Sequence, residues 1–151
     1  MPSIDIHAHY RQPGQPVPPV PAWAPEDYRR RQERFRDVVQ SFDRIVEVSD
    51  EAKVDVRVLS LPAASRFADF DTAPPHLAEI SKLNDYLAEG VRAHPDRLRG
   101  LATIDAFAGE DGAAEVRRAV EELGLPGIVV DSAKGDVLLG APETVPTLQE
   151  A

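Results

Sequence analysis

Three residues near the N-terminus could do chemistry together: Asp5, His7 and His9, in the run Ile4-Asp5-Ile6-His7-Ala8-His9. Ile4, Ile6 and Ala8 alternate with them at a period of two, so Ser3 to His9 reads as a β-strand. Side chains two apart on a strand leave from the same face, and the two imidazoles then stand roughly 6.5–7 Å apart at the Cα level. Both can turn a nitrogen toward one divalent ion, and imidazole suits zinc, iron and nickel. Asp5, deeper on that face, could orient an imidazole through its ring N–H. A strand whose polar face merely carries two histidines is the plain alternative. Context raises binding to equal standing with that alternative. The pair ends the first strand, and residues 11–25, with six prolines and one glycine, form neither helix nor sheet interior, so they read as a long loop overhanging the same end.

The rest of the chain must position that pair, and it alternates helix and strand. Phe35, Val38, Val39, Phe42, Ile45, Val46 and Val48 recur at helical spacing and predict a helix over 33–52. Val54 to Leu61 is β-branched and stops at Pro62, a second strand. Residues 62–73 read as a loop. Pro74-Pro75 start a helix whose stripe is Leu77, Ile80, Leu83, Leu87 and Val91, ending near His94-Pro95. Leu98 to Ile104 is a third strand. Asp111 is placed to cap the next helix, which carries Ala113, Val116, Ala119, Val120 and Leu123, with Gly124 as its stop. Gly127 to Asp131 is a fourth strand, and Pro142-Glu143 open a last helix.

Such alternation means parallel strands joined by right-handed crossovers. An open doubly wound sheet would want a glycine-rich phosphate turn after the first strand, but the residues there are His-Ala-His-Tyr-Arg-Gln-Pro-Gly. A (β/α)8 barrel takes about 250 residues, so four strands in 151 residues make half of one. The expected fold class is α/β, of the TIM-barrel family, with residues 1–151 forming the N-terminal part of a single barrel domain.

Composition narrows the function classes. The chain has no cysteine, which removes disulfides, thiolate metal sites and cysteine nucleophiles. It has 17 basic against 26 acidic side chains and a net charge of −9, the wrong balance for displacing counterions from nucleic acid. Its one basic cluster, Arg29-Arg30-Arg31 with Arg34 and Arg36, is interleaved with Glu26, Asp27, Glu33 and Asp37 and reads as a solvated helix face. No apolar run reaches the roughly 18–20 residues of a membrane span, and the N-terminus lacks a secretory pattern. A cytoplasmic protein with neither nucleic-acid nor membrane partners is expected.

Ile4-Asp5-Ile6-His7-Ala8-His9 resembles the opening Asp-x-His-x-His motif of the amidohydrolase superfamily, closest to the branch of the aminocarboxymuconate-semialdehyde decarboxylase-like enzymes. The run from Asp50 to Ser60 is similar to that branch's entry into its second strand. Leu83-Asn84-Asp85-Tyr86-Leu87-Ala88 followed by His94-Pro95-Asp96-Arg97-Leu98-Arg99-Gly100-Leu101-Ala102 resembles its helix-to-third-strand signature, and Glu121 to Ile128 its next junction. The resemblance runs from Ser3 to the last residue. It implies a barrel with a divalent metal at its C-terminal mouth, for which zinc is expected, with His7 and His9 matching the first two ligands. In such enzymes a later histidine and an aspartate complete the site, and these would lie beyond Ala151. His76 and His94, at helix ends, do not substitute for them and read as structural or surface residues.

The resemblance therefore implies a metal-dependent hydrolase that attacks a small organic substrate with metal-activated water. The alternative is non-oxidative decarboxylation at the same metal. Catalytic zinc usually has three protein ligands, so the 151 residues alone are expected to be inactive. An alternative of another class is a non-catalytic half-barrel that self-associates or binds a partner through its two open sheet edges. Further candidates sit at strand ends: Ser60, Thr103, Asp105, Ser132 and, best placed, Asp131, an acid before a glycine-containing loop. Arg11 and Arg66 could hold a substrate carboxylate. Trp23 could cover an apolar substrate or pin the loop to the rim.

Overall fold

β-Branched strands and amphipathic crossovers build a parallel sheet in the computed structural model, which describes residues 1–15 and 20–151. The strands are β1 (Ile4–Ala8), β2 (Val56–Leu59), β3 (Leu98–Thr103) and β4 (Gly127–Val129). They pair in the order β1-β2-β3-β4, every neighbour parallel, with a register irregularity in β1 between Asp5 and Ala8. Helices α1 (Glu26–Val39), α2 (Phe42–Glu51), α3 (Ala63–Arg66), α4 (Leu77–Ala93), α5 (Glu110–Arg117) and α6 (Val145–Glu150) lie between and after them. The architecture is a (β/α)4 half of a TIM-barrel-like fold. Among the described residues no helix is long and apolar enough to cross a membrane.

The core lies between the sheet and the crossover helices. Leu59, Leu98, Ala102 and Ile104 from the sheet side meet Ile45, Leu83, Leu87, Val116 and Leu125, all essentially inaccessible to solvent. Each such leucine or isoleucine contributes about 1.5–3 kcal/mol on burial. A polar network fixes α4 and α5 to the end of β3. Asn84, fully buried, accepts from the backbone N–H of Thr103 (2.8 Å) and donates to the Thr103 carbonyl (3.0 Å) and to Glu115 (2.7 Å). Glu115 also accepts from the Ser81 hydroxyl and from Arg118. Burial works against the Glu115 carboxylate, but the hydrogen bonds from Arg118, Asn84 and Ser81 prevail and hold its pKa below the usual glutamate value.

Several boundaries differ from the sequence expectation, each for a local reason. The helix expected over 33–52 is two, α1 and α2, divided at Gln40-Ser41. Ser41 is extended (φ −140°) and its hydroxyl accepts from the backbone N–H of Arg44, an N-cap in the middle of an apolar-periodic run. Helix α1 also begins at Glu26, inside the arginine cluster. Helix α4 starts at Leu77 after His76, so Pro74-Pro75 precede the helix instead of opening it. Asp111 lies within the first turn of α5, with Gly109 before the helix, so it meets the helix's positive end without capping it. Beyond α5 a π-helical segment, Arg118–Glu122, continues the helical run, and Gly124, with φ +72°, follows its end as the expected stop. The 62–73 loop contains α3, and a short hairpin, β5 (Ala133–Lys134) with β6 (Val137–Leu138), follows β4. Within the proline-rich loop, residues 16–19 lie outside the described residues.

Candidate metal centre

The strand expected to carry the pair does so, with His7 and His9 flanking its end. Their rings stand 4.8 Å apart between centroids with planes at 77°. His9 Nδ1 lies 2.9 Å from the carbonyl oxygen of Ser60. A carbonyl only accepts, so Nδ1 carries a proton, and in the neutral imidazole the lone pair is then on Nε2. That is the tautomer a metal-ligating imidazole needs, oriented by a backbone carbonyl as such ligands usually are. Asp5 contacts His7 through the main chain: its Oδ1 accepts the His7 backbone N–H (3.1 Å), and its Oδ2 lies 3.5 Å from Arg57 Nη1. The register pairing of Asp5 with Arg57 across β1 and β2 sets up that contact.

The two histidines line a cavity of about 370 Å³ together with Arg31, Arg34, Phe35 and Arg57, against an apolar wall of Val38, Ile45 and Val48. Helix α1 brings Arg31, Arg34 and Phe35 over the end of β1. Much of the arginine cluster is the solvated helix face expected, its side chains exposed and ion-paired: Arg30 with Glu26, Arg31 with Asp27, Arg34 with Glu51. Its contribution to the cavity was not legible, because it follows from how α1 folds back. Arg57 Nε is buried with no hydrogen-bond partner among the described residues. The signal for Arg57 was present in the sequence as a cation inside a β-branched strand, Val54-Asp55-Val56-Arg57-Val58.

The other candidates fall in separate places. Arg11 lines a second, smaller cavity with His9, Tyr10 and Phe35, and its backbone N–H donates to the Val39 carbonyl. Tyr10 is buried there. Its hydroxyl lies near Thr103, whose own hydroxyl is donated to the Leu61 carbonyl, and it makes no hydrogen bond of good geometry; burial pushes the phenol well above its usual range. Arg66 packs over the Phe67 ring (4.9 Å). Trp23 is 82% exposed. Asp131 accepts from the backbone N–H of Ala64 (3.2 Å) and so holds α3 against the end of β4. Burial raises its pKa, opposed by the Ala64 and Ala63 N–H groups and reinforced by Asp105 and Asp71. Asp105 caps the turn at Ala106–Ala108 and pairs with Lys134 (2.9 Å). His76 pairs with Asp69 and His94 with Asp43, both away from the His7–His9 pair in structural roles at the ends of α4.

No family model matches the chain. It is similar to the gamma-resorcylate decarboxylase of Polaromonas sp. (strain JS666 / ATCC BAA-500), 34% identical over 113 residues, 74% of this chain and 33% of that protein. It is also similar to the 2-amino-3-carboxymuconate-6-semialdehyde decarboxylase of Dictyostelium discoideum, 28% identical over 118 residues, 77% of this chain and 33% of that protein. In fold it matches the 5-carboxyvanillate decarboxylase of Novosphingobium aromaticivorans, solved with bound manganese, at a TM-score of 0.73 and 19% identity, over 99% of this chain and 47% of that one. The chain thus spans about a third of the length of the curated relatives it matches.

The expectation of zinc does not stand. The solved neighbour holds manganese, and among the described residues no group of three or more His, Cys, Asp or Glu side chains could hold an ion. Two imidazoles fall short of the three protein ligands usual at catalytic zinc. The chain belongs to the amidohydrolase superfamily, in the branch of the aminocarboxymuconate-semialdehyde decarboxylase-like enzymes, and it corresponds to part of that barrel.

Proposed function

We propose that residues 1–151 are the N-terminal portion of a single barrel domain that decarboxylates a small aromatic carboxylic acid without an oxidant, and that His7 and His9 supply two ligands of its manganese ion. The observation that carries the reading is the His9 Nδ1 contact with the Ser60 carbonyl, which leaves Nε2 free beside the His7 ring. Of the two reactions the first motif leaves open, hydrolysis and decarboxylation, the named activities of the relatives support the second.

In decarboxylation the bond from ring carbon to carboxyl carbon breaks, carbon dioxide leaves, and the electron pair left on the ring takes a proton. A bound divalent ion would hold the substrate's oxygens and draw off developing negative charge. The chain's own residues bind and orient. The apolar wall of Val38, Ile45 and Val48 with Phe35 accepts a planar ring, and the guanidinium groups of Arg57, Arg31 and Arg34 favour an anion. Arg11, beside His9, and Arg66 are the further candidates for the carboxylate, and Trp23 for the cover over the ring. Asp131 holds α3, and with it Arg66, in place. The residue that delivers the proton is not assigned among these 151.

The test is carbon dioxide release from hydroxylated benzoates by the manganese-loaded natural protein. The expected result is turnover that disappears in His7→Ala and His9→Ala. Hydrolysis of an ester or lactone with no carbon dioxide would instead support the hydrolase reading. A non-catalytic half-barrel that self-associates or binds a partner is the second reading.

A further inference from the structure

The carbonyl that turns His9 belongs to Ser60, yet the paired residues of β2 end one position earlier, at Leu59 opposite Gly100. The run Ser60-Leu61-Pro62 therefore carries the orientation of His9 past the end of its strand. Pro62 has no N–H to give, and it holds Leu61 extended. On the β1 side the Ser60 N–H donates to the Ala8 carbonyl (2.9 Å). On the β3 side the tie is not the one a ladder would supply.

The register shows the difference. Arg57 pairs with Leu98, and its N–H donates to the Arg97 carbonyl. Continued at the same spacing, a parallel ladder would have the Leu61 carbonyl accept the backbone N–H of Thr103. That N–H is taken, because it donates to Asn84 Oδ1 (2.8 Å). The Thr103 hydroxyl stands in for it and donates to the Leu61 carbonyl at 2.6 Å. Thr103 and Asn84 are both fully buried, so solvent does not compete for either bond. The Tyr10 hydroxyl lies near the same Thr103 side chain, and Tyr10, the residue after His9, is 1% exposed. Thr103 thus meets both segments that hold His9: the residue that follows it and the run whose carbonyl turns it.

We propose that Thr103 is a positioning residue for His9, acting through the Leu61 carbonyl, and that Asn84 directs the hydroxyl to this task by occupying the Thr103 N–H. A threonine is restricted at χ1, so its hydroxyl holds the run in one place. Asn84 is held in turn by Glu115, and Glu115 by Ser81 and Arg118. The orientation of a ring at the mouth is then set by connected hydrogen bonds that begin on the outer helices α4 and α5. The consequence for a metal ion rests on the reading of His9 under Proposed function, whereas the link from Thr103 to the His9 ring rests on the fold alone.

Nitrogen-15 resonances of the His9 ring in the metal-free natural protein test the link. They are recorded at about pH 8.5, roughly two units above the ordinary imidazole value, and assigned by their loss in His9→Ala. The Nδ1–H tautomer dominates in the wild type. Thr103→Val keeps the shape and loses the donor, so the Nε2–H form rises to a comparable share, while the rings of His76 and His94 stay as they were. Thr103→Ser keeps the hydroxyl and restores the wild-type pattern. A role in stability alone lowers the denaturation midpoint of Thr103→Val and leaves the His9 tautomer unchanged, and that result overturns the proposal, as does a shift that serine fails to reverse. Thr103→Cys, with a weak S–H donor, is read in the same way if the valine variant does not fold. Manganese uptake separates the link from the functional reading, and Thr103→Val weakens it about tenfold. A His9 ring that responds to Thr103→Val in a protein that takes up no manganese upholds the link and defeats the ligand assignment. A ring indifferent to Thr103→Val, in a protein whose uptake is lost in His9→Ala, does the reverse.

Discussion

The imidazoles of His7 and His9 stand edge to face, 4.8 Å between centroids, and the second is turned by the carbonyl of Ser60 on the neighbouring strand connection. The first motif therefore depends on β2 as much as on β1. The backbone N–H of Ser60 donates to the Ala8 carbonyl (2.9 Å), so the two strands are locked together at the point where His9 receives its orientation. A change that shifts the β1–β2 register would disturb the tautomer of His9 without touching the ring.

The Glu115 network predicts a pH dependence of stability. Its carboxylate is held below the ordinary glutamate value of 4.5, so the native state binds fewer protons than the unfolded one near that pH. Its stabilising contribution is complete above that value and is lost as pH falls through the depressed native value. Urea unfolding of Glu115→Gln should show a flatter acid limb than the wild type. At neutral pH the variant should be less stable by about 1–3 kcal/mol, the cost of weakening buried hydrogen bonds. Equal acid limbs for both proteins would place the pH dependence elsewhere.

Lys134 and Asp105 form a pair in which the aspartate side chain is 1% and the lysine side chain 13% exposed, with the lysine also over the Phe70 ring at 4.8 Å. Lys134→Met should destabilise the fold by about 3–5 kcal/mol, because Asp105 is left as a buried charge without its counterion. Adding Asp105→Asn should return most of that loss, since an amide oxygen still accepts the Phe107 N–H. Denaturant midpoints of the two variants measure both effects. A double variant no better than the single one would show that the pair acts through packing.

Gly112 is where α5 meets α6. A Cβ there would lie 2.5 Å from Thr147 Oγ1 and 2.7 Å from the Asp105 carbonyl oxygen, and the carbonyl belongs to backbone that cannot swing away. Gly112→Ala should therefore cost about 1–3 kcal/mol despite alanine's better helix propensity. It should also loosen α6, read as faster hydrogen exchange at 145–150. Unchanged stability would mean that α6 docks more loosely than these distances state.

The sequence carried the strand order and the pair itself, because both depend on short-range periodicity: period two at Ile4 to His9, β-branching at Val54 to Val58, apolar stripes in the crossovers. It did not carry the division at Ser41, where helical periodicity runs on across an N-cap and only the serine marks the break. Nor did it carry the cavity. Arg31 and Phe35 reach His7 and His9 because α1 folds back over β1, a contact between distant residues that no local spacing encodes. Asp131 was legible as an acid at a strand end, yet its partner, the backbone of Ala64, is 67 residues away. Zinc was an expectation carried by family resemblance, and the chemistry of two imidazoles alone does not select it.

Manganese binding followed by electron paramagnetic resonance tests the central assignment most directly, since the free-ion signal falls as the ion is taken up. The account predicts saturable uptake by the wild-type chain, weakened at least about tenfold by His7→Ala and by His9→Ala and unaltered by His76→Ala or His94→Ala. Uptake that survives both changes at His7 and His9, or that follows His76 or His94 instead, would contradict it.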